Sequence, residues 1–201
     1  MSSIDSVAQK YRGLHLSAIA QGLEQMLGKA EANAVSYLHF AETLIELEQQ
    51  QRNGKRIEQN KRRAGFPVHK SLDDFDYGFQ KTISKREINS LLDFSFIDNR
   101  ENVVFIGSPG VGKTHLTIGL GVKAIEAGYK VCFSTALTLI EMLELAELKG
   151  ELKKKINQLL KFYRLIIDEL GMHNLFQLIN ALYEYRSIIL MTNRLSGVNQ
   201  Q

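Results

Sequence analysis

The chain has 201 residues, with 25 Lys and Arg against 22 Asp and Glu, one cysteine, two prolines and no tryptophan. At 44% hydrophobic residues it can bury one full core and a small appended domain, which excludes a disordered tail protein, and a lone Cys132 inside the apolar run Val131-Cys132-Phe133 excludes a disulfide-stapled scaffold and reads as a small buried thiol. No stretch approaches the ~20 apolar residues of a membrane helix, and Met1 to Leu16 lacks a basic start followed by an apolar block, so a soluble, cytoplasmic protein without membrane partners is expected.

The net charge of +3 is unevenly placed. Between Arg52 and Arg63 lie Arg52, Lys55, Arg56, Lys61, Arg62 and Arg63 against Glu58 alone. Taking these seven residues from the totals leaves 19 basic and 21 acidic ones, so the basic excess belongs to one segment.

In chain order, apolar residues at helical spacing predict a helix over Ser17–Lys29 (Ile19, Leu23, Met26, Leu27) and a longer one from Ser36 to about Arg63 (Leu38, Ala41, Leu44, Ile45). The first half of the longer helix has a stripe to pack on its neighbour. From Glu48 to Asn60 only Ile57 is apolar, so that half is expected to be solvated or bound to a partner. Gly65 supplies a C-cap and Pro67 biases Phe66 out of the helical region, which ends the helix and marks a boundary. Val68 to Thr82 reads as a linker with the acidic, aromatic patch Leu72-Asp73-Asp74-Phe75-Asp76-Tyr77, and Ser84-Lys85-Arg86-Glu87 has capping-box spacing ahead of a short helix.

From Glu101 onward short apolar runs alternate with helices. Val103–Ile106 is predicted as a buried strand, Lys113–Ala127 as a helix ended by Gly128, and Lys130–Ser134 as a second strand. Helices over Thr138–Leu148 and Glu151–Leu160, a strand at Leu165–Ile167, a helix over Asn174–Tyr185 and a strand at Ser187–Met191 follow. This alternation indicates a parallel sheet covered on both faces.

Directly after the first of these strands stands Gly107-Ser108-Pro109-Gly110-Val111-Gly112-Lys113-Thr114, a G-x-x-x-x-G-K-T sequence. Glycines at 107, 110 and 112 let successive backbone N–H groups converge on an anion, and the helix starting near Lys113 adds the positive end of its dipole. Lys113 is expected to reach the β and γ phosphates, and the Thr114 hydroxyl to sit on Mg²⁺. Asp168, at the end of the apolar strand Leu165-Ile166-Ile167, stands where an acid holds the metal shell, and Glu169 can polarise an attacking water. The Asp-Glu pair favours hydrolysis over transfer. Thr192-Asn193 closes the last strand in the same way, where the Asn193 amide can meet the water or the γ phosphate. His115 follows the loop on its helix, to pack or cap rather than catalyse, and Phe75 and Tyr77 are candidates to cover an adenine ring.

Together Gly107–Thr114, Leu165–Gly171 and Ile188–Arg194 resemble the AAA+ ATPases. More specifically, Arg62–Pro67, Leu72–Asp76, Phe96–Val103, Gly112–Leu116 and Leu175–Ile179 resemble the IstB family, the helper ATPases of bacterial insertion sequences, with the DnaC-like helicase loaders as relatives; the likeness runs from about His15 to Arg194. The resemblance implies an α/β fold, a P-loop NTPase of the AAA+ type with a three-layer parallel sheet and a small all-helical N-terminal domain. Its divisions fall at 1–66 (helical, for DNA or partner), 67–100 (linker and leading helix) and 101–201 (ATPase core). It carries over Lys113 and Thr114 as Walker A, with Gly107, Ser108, Pro109, Gly110, Val111, Gly112 and His115 around the nucleotide. Asp168 and Glu169 become Walker B and Asn193 sensor 1, with ATP and Mg²⁺ as cofactors.

It further implies a homo-oligomer on double-stranded DNA that assists a transposase by DNA-stimulated ATP hydrolysis. The alternatives are a loader of a replicative helicase or a non-hydrolysing, ATP-gated DNA-binding module. The chain departs from the family pattern in a short stretch between Gly171 and the next helix and in an end at Gln201, before the arginine-finger and sensor-2 region; the second departure supports the ATP-gated module. The Arg52–Arg63 run, by itself equally a solvated helix face, becomes with the resemblance a candidate track along DNA phosphates. Lys153, Lys154, Lys155, Lys161 and Arg164 form a second basic cluster, read as a solvated face.

Overall fold

The computed structural model describes residues 3–78, 83–99, 101–159, 164–168 and 187–192. The chain divides into two compact units, Met1–Glu58 and Gln59–Gln201. The division falls inside a long helix.

The first unit is helical: α1 (Ser3–Gly13), α2 (Ser17–Ala32) and the greater part of α3 (Tyr37–Ala64). Helix α1 is absent from the expectations above; Ile4, Ala8 and Tyr11 recur at helical spacing and join the core of Ile19, Ala20, Leu23 and Leu44. Helices α2 and α3 run close at Gly22, where a Cβ would lie 3.1 Å from Leu47 Cδ2. The stripe expected to bury in α3 splits in two. Leu44 is buried, but Leu38 and Ile45 are 73% and 56% exposed and Ala41 is exposed as well, because at 100° per residue the core takes the Phe40–Leu44–Leu47 side.

Glu48, placed by the sequence reading in a solvated stretch, is 6% exposed. Helix α2 starts after Leu16 with no side-chain cap, and Glu48 reaches across from α3 to do that work: its Oε2 accepts from the Ala18 N–H at 2.9 Å and the Ile19 N–H at 3.4 Å. Its Oε1 accepts from Arg52 Nε at 2.8 Å, and the same guanidinium donates to His15 O at 2.9 Å. The Arg52 hydrogen bond, opposed by burial and aided by the two amides, holds the Glu48 carboxyl below its usual range.

Among the described residues, the second unit contains a four-stranded parallel sheet. Strands β1 (Val103–Ile106), β2 (Val131–Thr135), β3 (Arg164–Asp168) and β4 (Ser187–Thr192) lie in the order β1-β4-β3-β2. Helix α6 (Lys113–Glu126) connects β1 to β2 and is apolar on nearly every side, with Leu116, Ile118, Leu120, Val122 and Ile125 all buried. Two short helices, α4 (Lys85–Ser90) and α5 (Ser95–Asp98), precede β1; α7 (Ala136–Leu148) and α8 (Leu152–Leu159) lie between β2 and β3. The capping box expected at Ser84 is present: Ser84 N–H donates to Glu87 Oε2 at 2.7 Å and Glu87 N–H to Ser84 Oγ at 3.2 Å. Gly65, at φ +73°, ends α3 in the left-handed conformation, and Phe66 meets Phe133 of β2 edge-on at 6.1 Å.

Two local expectations need correction. Strand β1 is buried on one face only: Phe105 is covered, while Val104 and Ile106 are 48% and 53% exposed. The strand ends the described strand order, and alternation sends these two side chains to the face opposite Phe105. Cys132 is half-buried rather than buried; burial pushes its thiol up, against the opposing effect of the Lys155 charge. The helix expected over Asn174–Tyr185 lies outside the described residues. No helix among those described is long and apolar enough to cross a membrane.

Candidate nucleotide-binding site

The loop between β1 and α6 builds the site. Gly110 at φ +82° and Gly112 at φ +86° hold left-handed conformations that a side chain resists, and Gly112 is the N-cap of α6. Gly112 has no side chain with which to cap that helix start, and the positive end of the helix dipole lies at the loop, the arrangement that attracts an anion. The Lys113 ammonium folds back over the loop, donating to Gly107 O at 2.7 Å and Ser108 O at 2.9 Å. An anionic group entering the loop would compete with these two carbonyls for the same ammonium, and charge-assisted bonds to phosphate are the stronger. Ser108, Pro109 and Gly110 form the exposed rim, and Val111, Thr114 and His115 are half-buried. A Cβ at Gly107 would lie 3.2 Å from Val111 Cγ2, whereas one at Gly110 would meet nothing within 4 Å, so the rim is open where the loop turns.

The neighbouring strands bring their carboxyl ends to the same edge. Asp168 ends β3 opposite Thr135, and Thr192 ends β4 opposite Ile106, the last residue before the loop. Ligands of open parallel sheets bind outside such strand ends. The Thr114 hydroxyl and the Asp168 carboxylate are hard oxygen donors of the kind Mg²⁺ takes. Glu169 and Asn193 each follow a strand end by one residue, outside the described residues.

The sequence reading missed one component. The segment read as a linker lies along α6. Ser71 caps a 3-10 turn, Leu72–Asp74, by accepting from Asp73 N–H, and Leu72 is buried against Gly119, where a Cβ would come within 2.6 Å of Leu72 Cδ2 and 3.0 Å of its backbone N. His115 Nε2 lies 2.7 Å from Ser71 O; a carbonyl only accepts, so the ring donates there. Phe75 packs edge-on to His115 at 5.3 Å and to Tyr77 at 4.8 Å, and against Gly112, where a Cβ would lie 2.6 Å from its Cε2. Burial, with the Asp73 charge, pushes the Tyr77 hydroxyl up. The available signal was Gly119: glycine inside a helix is costly and marks a close approach.

The basic residues of α3 differ in burial and in the partners they meet. Arg52 is taken by Glu48 and His15. Lys61 is half-buried and pairs with Glu126 of α6 at 2.9 Å; burial raises the Glu126 carboxyl, and the Lys61 and Lys123 charges more than reverse it, leaving it below its usual range. Lys55, Arg56, Arg62 and Arg63 are exposed, with Arg56 donating to Asn53 Oδ1 at 2.7 Å. In the second basic cluster Lys154 pairs with Glu151 at 3.1 Å.

A glycine loop leading from a parallel strand into a helix, with its lysine turned over the loop and an acid at the end of a nearby strand, defines a P-loop protein. Its solved neighbours have the AAA+ fold. The replication initiator DnaA bound to AMPPCP and single-stranded DNA superposes with a TM-score of 0.55 at 24% identity, covering 68% of this chain and 46% of that one. The DnaC helicase loader superposes at 0.51 and 23% identity, covering 65% and 79%. The chain belongs to the family described as IstB-like ATP binding protein, whose pattern matches residues 9–199. Among its relatives, a protein of insertion sequence IS5376 from Geobacillus stearothermophilus, named for ATP binding, is 38% identical over 192 residues, 92% of this chain and 76% of that protein.

Proposed function

We propose that this chain is an ATP-dependent, DNA-binding AAA+ ATPase that assembles as a homo-oligomer on double-stranded target DNA and assists the transposase of its insertion sequence. The observation that carries the reading is the P-loop itself, with Lys113 bonded across Gly107 and Ser108 in a chain of the IstB-like family. A three-layer AAA+ core over 101–201, the connecting segment 67–100 and a helical DNA- or partner-binding domain over 1–66 form its architecture.

In this reading each motif residue has a role, supported for the loop by its place between β1 and α6. Gly107, Gly110 and Gly112 shape the cradle, with Ser108, Pro109 and Val111 along it and His115 behind it. Lys113 neutralises the β and γ phosphates, and Thr114 and Asp168 hold Mg²⁺. Glu169 takes a proton from the attacking water, and the Asn193 amide orients it. ATP with Mg²⁺ supplies the phosphoanhydride bond whose cleavage drives the cycle. Lys55, Arg56, Arg62 and Arg63 follow the DNA backbone without reading bases, since no aromatic residue is interleaved with them.

Nucleotide titration and phosphate release test the reading. Lys113→Ala abolishes ATP binding, and Glu169→Gln keeps ATP and DNA but stops turnover. Unchanged ATP affinity in Lys113→Ala removes the P-loop assignment. Absence of turnover by the wild-type chain with duplex DNA replaces hydrolysis by ATP-gated DNA binding, and co-purification with a replicative helicase instead of the transposase replaces the partner.

A further inference from the structure

The segment from Ser71 to Tyr77 covers one face of α6, and it does so at three points in register. Gly112, His115 and Gly119 stand at helical positions i, i+3 and i+7, which share a face. Each receives a different part of the strap: Phe75 on Gly112, the Ser71 carbonyl and Phe75 on His115, and Leu72 on Gly119. Leu72 is 7% exposed, and the approach of its backbone N to Gly119 leaves no room for a methyl group. The strap is therefore anchored at the far end of this face, and its aromatic end rests on the turn that opens α6.

That turn is part of the phosphate loop. Gly112 is its last glycine, holds φ +86° and is the N-cap of α6. Glycine takes this conformation without strain but visits others as readily, so its surroundings, here including an aromatic ring, decide which one it keeps. Tyr77 at 4.8 Å and His115 at 5.3 Å, both roughly perpendicular to Phe75, pack against that ring, and the Ser71–His115 hydrogen bond fixes the imidazole in turn.

We propose that Phe75 is a positioning residue of the phosphate loop: its ring, packed on Tyr77 and His115, buttresses Gly112 and so prearranges the cradle for the polyphosphate of a nucleoside triphosphate. Phe75 acts through the loop and makes no contact with the base. The assignment rests on the nucleotide-site reading of the P-loop, and deepens it.

Calorimetric titration of the full chain with ATP and, separately, with inorganic triphosphate tests it, using Phe75→Ala and Phe75→Leu beside Lys113→Ala. Both ligands lose affinity by the same factor in Phe75→Ala, about two- to twelvefold, the range that an aromatic packing contact sustains. Phe75→Leu, which keeps apolar bulk but not the flat ring, loses affinity in the same direction by a smaller factor and carries the test if the alanine variant does not fold. Unchanged affinity for both ligands in a folded variant overturns the proposal. So does a loss confined to ATP with triphosphate unaffected, because the ring would then contact the base. If Lys113→Ala binds ATP as wild type does, the nucleotide-site reading itself has failed; if Lys113→Ala loses ATP and the Phe75 variants do not, only the buttress has.

Discussion

One substitution made at two glycines should move stability in opposite directions. Gly54 lies within α3 with nothing within 4 Å of the position its Cβ would take. Gly54→Ala therefore gains only the helical preference of alanine, about 1 kcal/mol. Gly119, in α6, gains the same preference, but its Cβ would stand 2.6 Å from Leu72 Cδ2, 2.8 Å from Cγ and 3.0 Å from the backbone N. Ordinary carbon contacts need about 3.5–4.0 Å. Rotation of Leu72 can relieve the first two contacts and not the third, so the strap must shift, an overpacking cost of about 1–3 kcal/mol. The middle of that range leaves Gly119→Ala a net loss of about 1 kcal/mol, and the two variants differ by about 2 kcal/mol. Hydrogen exchange reads the two helices separately: amides of central α3 gain about fivefold protection in Gly54→Ala, and those of α6 lose about as much in Gly119→Ala. Equal stabilisation by both substitutions would refute the close packing of Leu72 on α6.

Two further perturbations address the first helical unit and the basic segment. Glu48→Ala should unfold the start of α2, exposing the Ala18 and Ile19 amides to exchange. Because the folded Glu48 carboxyl lies below its ordinary value of 4.5, its contribution is present above that pH and is lost as pH falls through the lower folded value. An acid titration in which Glu48→Ala and wild type unfold in parallel would remove this role. For DNA, replacing Lys55, Arg56 and Arg63 with Ala should lower the slope of log affinity against log salt by about 2.7, roughly 0.9 per phosphate contact. Lys61→Ala should change it by less, since Lys61 already pairs with Glu126. Equal effects per residue in a salt series would show that the Lys61–Glu126 pair opens on DNA.

Much of the second unit was legible in order along the chain. Val103–Ile106, the glycine loop and the α6 pattern announce a strand, a turn and a helix because each obeys a local rule: β-rich apolar residues, glycines at left-handed positions, apolar residues around a central helix. The capping box at Ser84 was legible for the same reason, since both partners lie within four residues. Helix α1 was not, because its apolar residues are few and acquire meaning only against α2.

The basic segment shows where such rules stop. Six cations in twelve positions look alike in the sequence. In space Arg52 braces a buried carboxylate and Lys61 meets an acid 65 residues away, while Lys55, Arg56, Arg62 and Arg63 face outward. Charge complementarity between distant residues has no sequence period, so counting cannot tell which cations a distant acid holds.

The sequence by itself determined that a phosphate loop follows a strand and opens a helix, because spacing and glycine content alone make that turn. It also placed Asp168 at the end of β3, because apolar runs end where polar residues begin. Only the tertiary structure decided that Glu48 caps a helix it does not belong to and that a segment resembling a linker is a strap bearing on Gly112. Both depend on which surfaces fold against each other, and close packing assigns those partners by shape, across separations that local pattern does not span.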